Sequence, residues 1–314
     1  MIAVTTHPFG LYTKEAIDIL EAYGQVEYNP FGRRLTPADL LPFVCDAVAI
    51  VAGTEKYPRK VLDKCKDLKV ISRVGTGFDN IDLEYCKDRG IKVAYTPDAP
   101  ADSVAEMTVA QIINMIRKIP QSGLDIKAGL WQRRMGHQLK DLTVGVLGLG
   151  RIGYRVCRLL KPFGCRILAC DIDDRAREVC INDVDGFVFI DELFEQSDIV
   201  TVHVPLNKDN YHLVGIKQLE LLAEGYLVNN SRGSVVDEQA VHSALVDGHL
   251  LSYSADVFEV EPYNGPLIRE DTHLTAHMGS STVEARIAME LGAARKCVDA
   301  LNGEVFEEVP YEQS

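Results

Sequence analysis

Short apolar runs alternate with amphipathic stretches through the first third of the chain, and this rhythm constrains the fold most. IAVTT (2–6), QVEYN (25–29), DAVAIVAG (46–53), KVISRVG (69–75) and IKVAYT (91–96) read as strands. TKEAIDILEAYG (13–24), RKVLDKCKDL (59–68) and LEYCKDRG (83–90) read as helices, the last with a glycine stop. Strands alternating with helices of this length predict a parallel sheet covered on both faces. Pro97 and Pro100 break the rhythm, and SVAEMTVAQIINMIRKIP (103–120) follows as one long helix. Its residues Val104, Met107, Ala110, Ile113 and Met115 recur at helical spacing, and its proline-flanked start marks a domain crossing.

A second strand–helix series opens at LTVGVLGLG (142–150). RILACDI (166–172), IVTVHV (199–204), LVNNS (227–231), YSADVF (253–258) and HLTAH (273–277) are its further strands. TVEARIAMELGAARKCVDALNG (282–303) reads as a long helix that returns the chain to the first domain. The fold class is therefore α/β, with two doubly wound parallel-sheet domains. A length of 314 residues accommodates two domains at roughly 100–200 residues each.

Composition removes several function classes. Thirty-three Lys+Arg against 46 Asp+Glu give a net charge of −13. Such a surface repels phosphate backbones and anionic membranes, so no nucleic acid and no membrane partner is expected. No apolar run approaches the ~18 residues that span a bilayer, and the start MIAVTTHPFG has no signal-peptide pattern. The eight cysteines (Cys45, Cys65, Cys86, Cys157, Cys165, Cys170, Cys180 and Cys297) form no CxxC pair. They read as reduced, mostly buried thiols of a cytoplasmic protein. His273 and His277 lie four apart, but Leu274 stands where a zinc-binding helix carries Glu, so no metal is expected.

The segment VGVLGLGRIGYRV places Gly148, Gly150 and Gly153 as G-x-G-x-x-G between an apolar strand and a helix over 154–161. Gly148 permits a tight turn, Gly150 lets the backbone approach a pyrophosphate, and Gly153 lets helix and strand pack closely. The next strand ends at Asp171, 23 positions after Gly148. An acidic residue about 20 positions on accepts hydrogen bonds from ribose hydroxyls and repels a 2′-phosphate. The implied cofactor is NAD rather than NADP, although Arg175 and Arg177 lie just downstream.

Three segments end strands of the second series: NNSRGSVVDE, ADVFEVEP and HLTAHMGSS. Ligands of open α/β sheets bind outside the carboxyl ends of strands, so these segments converge. They offer Arg232, a planar donor fork for a carboxylate; His277, which exchanges a proton near neutral pH; and Glu261, which orients the imidazole and favours its cation. Singly, each has a plainer reading as a surface ion pair, a solvated turn or a structural histidine. The case rests on all three beside a dinucleotide fold.

The chain resembles the D-isomer-specific 2-hydroxyacid dehydrogenases along nearly its whole length. RVGTGFDNID, ADSVAEMTVA, GLGRIG, HVPL, NSRGSVVDE, ADVFEVEP and AHMGSST carry the resemblance. It implies a Rossmann NAD-binding domain over 99–285 and a flavodoxin-like substrate domain made of 1–98 and 286–314. It also implies that Arg232 binds the substrate carboxylate and carbonyl, that His277 is the acid/base and that Glu261 is its partner. Arg151, Ile152 and Asp171 would hold the NAD phosphates and ribose. Val204 and Pro205 would border the adenine, and Ser231, Asp256 and Gly279 would line the nicotinamide end, Asp256 accepting from the carboxamide. Arg73, Val74, Gly75 and Thr76 would face the substrate. A homodimer is the family's usual assembly.

Within the family the wording is closest to D-3-phosphoglycerate dehydrogenases, through RVGTGFDNID, GLWQRR and GSSTVEAR. Arg73 matches a residue that grips the substrate phosphate there, but Ala52 stands where a second arginine is expected, and Lys56 is a possible replacement. Arg133 and Arg134 match a basic stretch that reaches a neighbouring subunit's site, or else form a solvated helix face. With the chain ending at Ser314, no regulatory module and no inhibition by serine are expected. The expected activity is hydride transfer between a small anionic D-2-hydroxyacid, 3-phosphoglycerate-like, and nicotinamide. Glyoxylate, hydroxypyruvate or another 2-oxoacid is the alternative substrate. A different NAD-dependent enzyme class on this fold, such as a hydrolase of the adenosylhomocysteine type, and a non-catalytic NAD-sensing corepressor are the rival classes.

Overall fold

Ile2 and Val4 point to one face of a sheet and Ala3 to the other, and all three are fully buried. The same alternation repeats at Ala49, Ile50 and Val51, and again at Val70 and Ile71. Apolar residues of both parities mark strands covered on both faces. A computed structural model of the protein describes residues 1–310. Its chain divides into two compact units, Met1–Pro100 with Ser281–Ser314, and Ala101–Ser280.

The first unit is a parallel sheet of β1 (Ile2–Val4), β2 (Val26–Tyr28), β3 (Ala49–Ala52), β4 (Val70–Arg73) and β5 (Lys92–Ala94), in the order β2-β1-β3-β4-β5. That is the flavodoxin-like order. Helices α1 (Glu15–Tyr23) and the C-terminal helix Val283–Asn302 cover one face through Ala16, Leu20, Met289, Ala293 and Cys297. Helices α2 (Pro37–Val44), α3 (Arg59–Leu62) and α4 (Leu83–Arg89) cover the other.

Two local readings need correction. The helix expected over 59–68 stops at Leu62 and continues in i→i+3 turns, Lys64 N to Val61 O and Cys65 N to Leu62 O. Those tighter turns keep Cys65 and Leu68 buried while the four polar residues between and before them stay outside. The helix α2 is not among the elements expected from apolar spacing. Its signature in TPAD is local instead, a capping box of Thr36 with Asp39 and a proline at its start.

The second unit holds β6 (Thr143–Leu147), β7 (Arg166–Cys170), β8 (Gly186–Phe187), β9 (Ile199–Val202), β10 (Gly225–Asn229), β11 (Leu250–Ala255) and β12 (Thr272–Leu274). They form one parallel sheet, β12-β11-β10-β9-β6-β7-β8. The order reverses between β6 and β9, which is the Rossmann switch point. Helices α5 (Ala101–Arg117) and α7 (Arg151–Leu160) bury Ala105, Ile112, Val156 and Leu160 on one face. Helices α9 (Ile190–Gln196), α10 (Ile216–Leu221) and α11 (Glu238–Val246) bury Leu193, Leu219 and Val241 on the other; α8 (Asp174–Cys180) follows β7. The fold class is thus two parallel α/β sheets, as the alternation implied.

The helix predicted over 103–120 ends at Arg117, where Lys118 turns to a left-handed conformation (φ 51°) and a separate helix α6 (Ile119–Lys127) begins with Pro120 in its first turn. Proline lacks the N–H that an interior turn needs, and it suits a first turn, where that N–H has no partner. Among the described residues no helix is long and apolar enough to cross a membrane.

Candidate active site

The glycine loop follows β6 at the switch point. Gly148 has φ +92°, and its amide donates to Cys170 O at 2.8 Å. A Cβ there would lie 2.9 Å from the His203 backbone, and one on Gly153 would lie 1.9 Å from Gly148 O. Both positions are therefore closed to a side chain. Gly150 differs: its Cβ position meets no atom within 4 Å, and it caps α7 with no side-chain hydrogen bond to the helix amides. An open cradle at an uncapped helix N-terminus suits a pyrophosphate. Arg151 and Ile152 open α7.

Asp171 lies just past β7. Its carboxylate accepts from Leu149 N at 2.5 Å in the glycine loop and from Asp173 N at 2.8 Å. Each oxygen keeps a lone pair for a ribose hydroxyl. Arg175 pairs with Asp173 at 3.0 Å, and Arg177 reaches Asp174 at 3.4 Å and donates to Asp171 O at 3.0 Å. These features fit NAD. Val204 and Pro205 follow β9, the Val204 side chain beside Gly148. Before them, His203 is buried against the Thr201 hydroxyl at 2.9 Å, and burial pushes its pKa down to about 3.

Arg232, Glu261 and His277 occupy loops after β10, β11 and β12. Ser231 and Arg232 are held by Asn229, whose Oδ1 accepts from Ser231 N and Oγ and whose amide donates to Arg232 O. Arg232 Nη1 donates to Ser231 O at 2.7 Å. Gly233 allows close approach, since a Cβ there would sit 1.9 Å from Phe258 C. This ties the arginine turn to the loop of Glu261. Glu261 faces His277 Nδ1 at 2.9 and 3.1 Å and accepts from Phe258 N. Burial pushes the Glu261 carboxyl up, but the His277 hydrogen bond and charge, with Arg232 nearby, hold it below the usual range. The imidazole is thus anchored at Nδ1, which leaves Nε2 as the nitrogen for proton exchange.

Asp256 is 2% exposed and accepts from Thr275 Oγ1 (2.6 Å), Met278 N (2.8 Å) and Gly279 N (2.7 Å), while its carbonyl accepts from His277 N. His277 has φ +49° inside this clasp. Sequence reasoning missed Thr275, although T-x-H stands in the motif. It also missed Thr108, Gln111 and Asn230, which reach Thr275 through hydrogen bonds. His273 sits on β12 with its ring against Gln121 at 3.3 Å, so the two histidines four apart have different partners.

In the first unit, Arg73 ends β4 and is 9% exposed, its Nη1 turned onto Val74 O. Val74 N donates to Ala52 O, Gly75 (φ +142°) donates to the Thr96 hydroxyl, and Thr76 Oγ1 donates to Pro97 O. Arg133 and Arg134 lie in an extended segment rather than on a helix face, and Arg134 clamps Asp125 at 2.6 and 3.0 Å.

Residues 109–279 match the family model described as D-isomer specific 2-hydroxyacid dehydrogenase, NAD binding domain. That is more than half of the chain. The chain belongs to this family. Its members are NAD-dependent oxidoreductases. A D-3-phosphoglycerate dehydrogenase of Methanocaldococcus jannaschii is 38% identical over 94% of this chain, which spans only 57% of that relative's length. A glyoxylate reductase of Thermofilum pendens is 40% identical over 80% of this chain and 77% of its own. The crystal structure of D-lactate dehydrogenase from Aquifex aeolicus, complexed with NAD and lactic acid, has a TM-score of 0.85 at 25% identity and covers 96% of both chains. Residues 109–279 thus match this family's NAD-binding domain, and the chain is similar to members with different substrate names.

Proposed function

We propose that this dehydrogenase interconverts a short, unphosphorylated D-2-hydroxyacid and its 2-oxoacid, of the glyoxylate or hydroxypyruvate kind. The observation that carries the chemistry is the Glu261–His277 pair at 2.9 Å with Arg232 close enough to depress the Glu261 carboxyl. Nicotinamide, when bound, supplies or takes the hydride at C2. Arg232 binds the substrate carboxylate through its fork and steadies charge on the C2 oxygen. His277 Nε2 gives its proton to that oxygen in reduction and takes it back in oxidation, and Glu261 holds the ring at Nδ1. Gly148–Gly153, Asp171, Val204, Pro205, Ser231, Asp256 and Gly279 are assigned to the cofactor, and Arg73–Thr76 to the substrate.

The substrate-binding loop supports the absence of a phosphate. Arg73 is buried and directs a donor onto its own loop, and Ala52 is buried without charge. The similarity to a 3-phosphoglycerate dehydrogenase sustains the other reading. The test is NADH oxidation with glyoxylate, hydroxypyruvate and 3-phosphohydroxypyruvate. The highest kcat/KM is expected for an unphosphorylated acid. A tenfold preference for the phosphorylated one refutes the substrate class, and no NADH oxidation with any 2-oxoacid refutes the activity.

We also assign the unit Ala101–Ser280 to NAD and the unit of the two chain ends to substrate. A homodimer fits the exposed apolar residues Leu124, Leu130, Trp131 and Met135, of which Trp131 is 84% exposed. A cytoplasmic setting fits eight cysteines that are all free thiols.

A further inference from the structure

A chain of buried polar groups runs from α5 to the loop of His277, and each of its donors has a determined direction. Thr108 Oγ1 donates to Val104 O at 2.8 Å, so its oxygen is left to accept. Asn230 Nδ2 donates to that oxygen at 2.8 Å and to Gln111 Oε1 at 2.7 Å. Gln111 is thereby oriented with its amide nitrogen toward Thr275, 3.4 Å from Oγ1. Thr275 accepts there and donates its single proton to Asp256 Oδ1 at 2.6 Å. Asp256 in turn gathers the amides of Met278 and Gly279 on its carboxylate and of His277 on its carbonyl. Thr108, Gln111, Asn230 and Asp256 are all at most 7% exposed and Thr275 between them is half-buried, so an unmet partner at the four buried members is costly.

We propose that Gln111 and Asn230 are positioning residues for His277, acting through Thr275 and Asp256. Neither touches the imidazole. They fix which way the Thr275 hydroxyl points, and that hydroxyl is one of three donors holding the carboxylate that organises residues 275–279. Within this loop His277 keeps a left-handed backbone (φ +49°), uncommon for a non-glycine residue. Glu261 fixes the ring and the Asp256 clasp fixes the backbone. The proton-transferring nitrogen is placed by both. This inference rests on the proposed role of His277.

Gln111→Met keeps the length and the packing and removes both ends of the amide. A misplacement of about 1 Å costs up to about a hundredfold in rate. A tenfold or larger fall in kcat for 2-oxoacid reduction is therefore expected, with KM for the acid within twofold of wild type. Thr275→Val should fall likewise, and Thr275→Ser, which keeps the hydroxyl, should recover most of kcat. A purely structural role predicts a lowered Tm with kcat unchanged, and that outcome overturns the proposal, as does equal loss in Thr275→Ser and Thr275→Val. If Gln111→Met does not fold, Gln111→Glu, which keeps the shape and replaces the donor facing Thr275 with an acceptor, serves in its place, and a wild-type kcat in that variant overturns the proposal. A wild-type protein with no turnover refutes the proposed function instead, so the two failures are distinct.

Discussion

Two glycines three residues apart should respond to the same methyl group in opposite ways. An alanine at 153 puts its Cβ 1.9 Å from Gly148 O, so α7 must retreat from β6 by at least about 1 Å to reach the closest contact real Cβ atoms make. Overpacking of that kind costs about 1–3 kcal/mol, which lowers Tm by several degrees in a domain of this size. An alanine at 150 meets no protein atom within 4 Å, and Gly150 has φ −64°, ordinary for any residue. Its stability effect is therefore neutral or favourable by about 0.4–1 kcal/mol through the unfolded chain. The methyl occupies the opening assigned to the pyrophosphate, and a tenfold to hundredfold rise in Kd for NADH, about 1.4–2.7 kcal/mol, is expected. At NADH concentrations near 100 Kd the ligand adds about 2.7 kcal/mol to wild-type stability, and a tenfold loss of affinity halves that increment. Thermal melts with and without NADH, with a fluorescence titration, separate the variants. Wild-type affinity in Gly150→Ala refutes the assignment of this loop to the pyrophosphate, whatever Gly153→Ala does.

Replacing His277 with Asn should lower kcat by about 10²–10⁴-fold, as loss of a positioned acid/base does, with NADH Kd unchanged. Arg232→Lys should instead raise KM for the acid together with a fall in kcat, because an ammonium cannot reproduce a two-point fork; stopped-flow and steady-state kinetics check both. Burial holds His203 neutral down to about pH 3, while the same residue in the unfolded chain takes a proton below about pH 6.5. The unfolded state then binds more protons, so stability must fall as pH drops from about 6.5 toward 3. His203→Gln should flatten that part of the Tm-against-pH curve, and an unchanged slope contradicts it.

The parallel sheets were legible because burial on both faces leaves a clear trace: AIVA is apolar on both faces, and IVTV carries a single threonine that is itself buried. Helix ends were less legible. RKVLDKCKDL has a helical look, yet its second half is decided by Cys65 and Leu68 reaching the core at a spacing of three, which turns satisfy as well as a helix does. MIRKIP reads as helix up to its proline, but the backbone has already reversed at Lys118. Pro120 has no N–H to give the Ile116 carbonyl and its ring would crowd that oxygen, which accepts from His137 N instead, a local constraint that no apolar periodicity registers.

The candidate site divides along a similar line. Gly148, Gly150, Gly153 and Asp171 were readable because their roles depend on neighbours within one strand–turn–helix unit. Arg232, Glu261 and His277 were readable because strand ends in a doubly wound sheet share an edge, so three distant motifs had to converge. What joins them was not readable. Gln111 and Thr275 stand 164 residues apart, and Asn230 and Thr108 122 apart. Thr108 and Gln111 are fully buried on a helix face otherwise built from Ala105, Ile112 and Met115. A polar residue on such a face needs a partner, because burial without a hydrogen bond costs more than an apolar side chain in its place. Two such residues one turn apart therefore signal a buried partner from the amino-acid pattern alone, though not which one. Its identity depends on how far β10 and β12 lie from α5, and that distance is set by the packing of Ile112 and Val228 in the core they share, not by any motif.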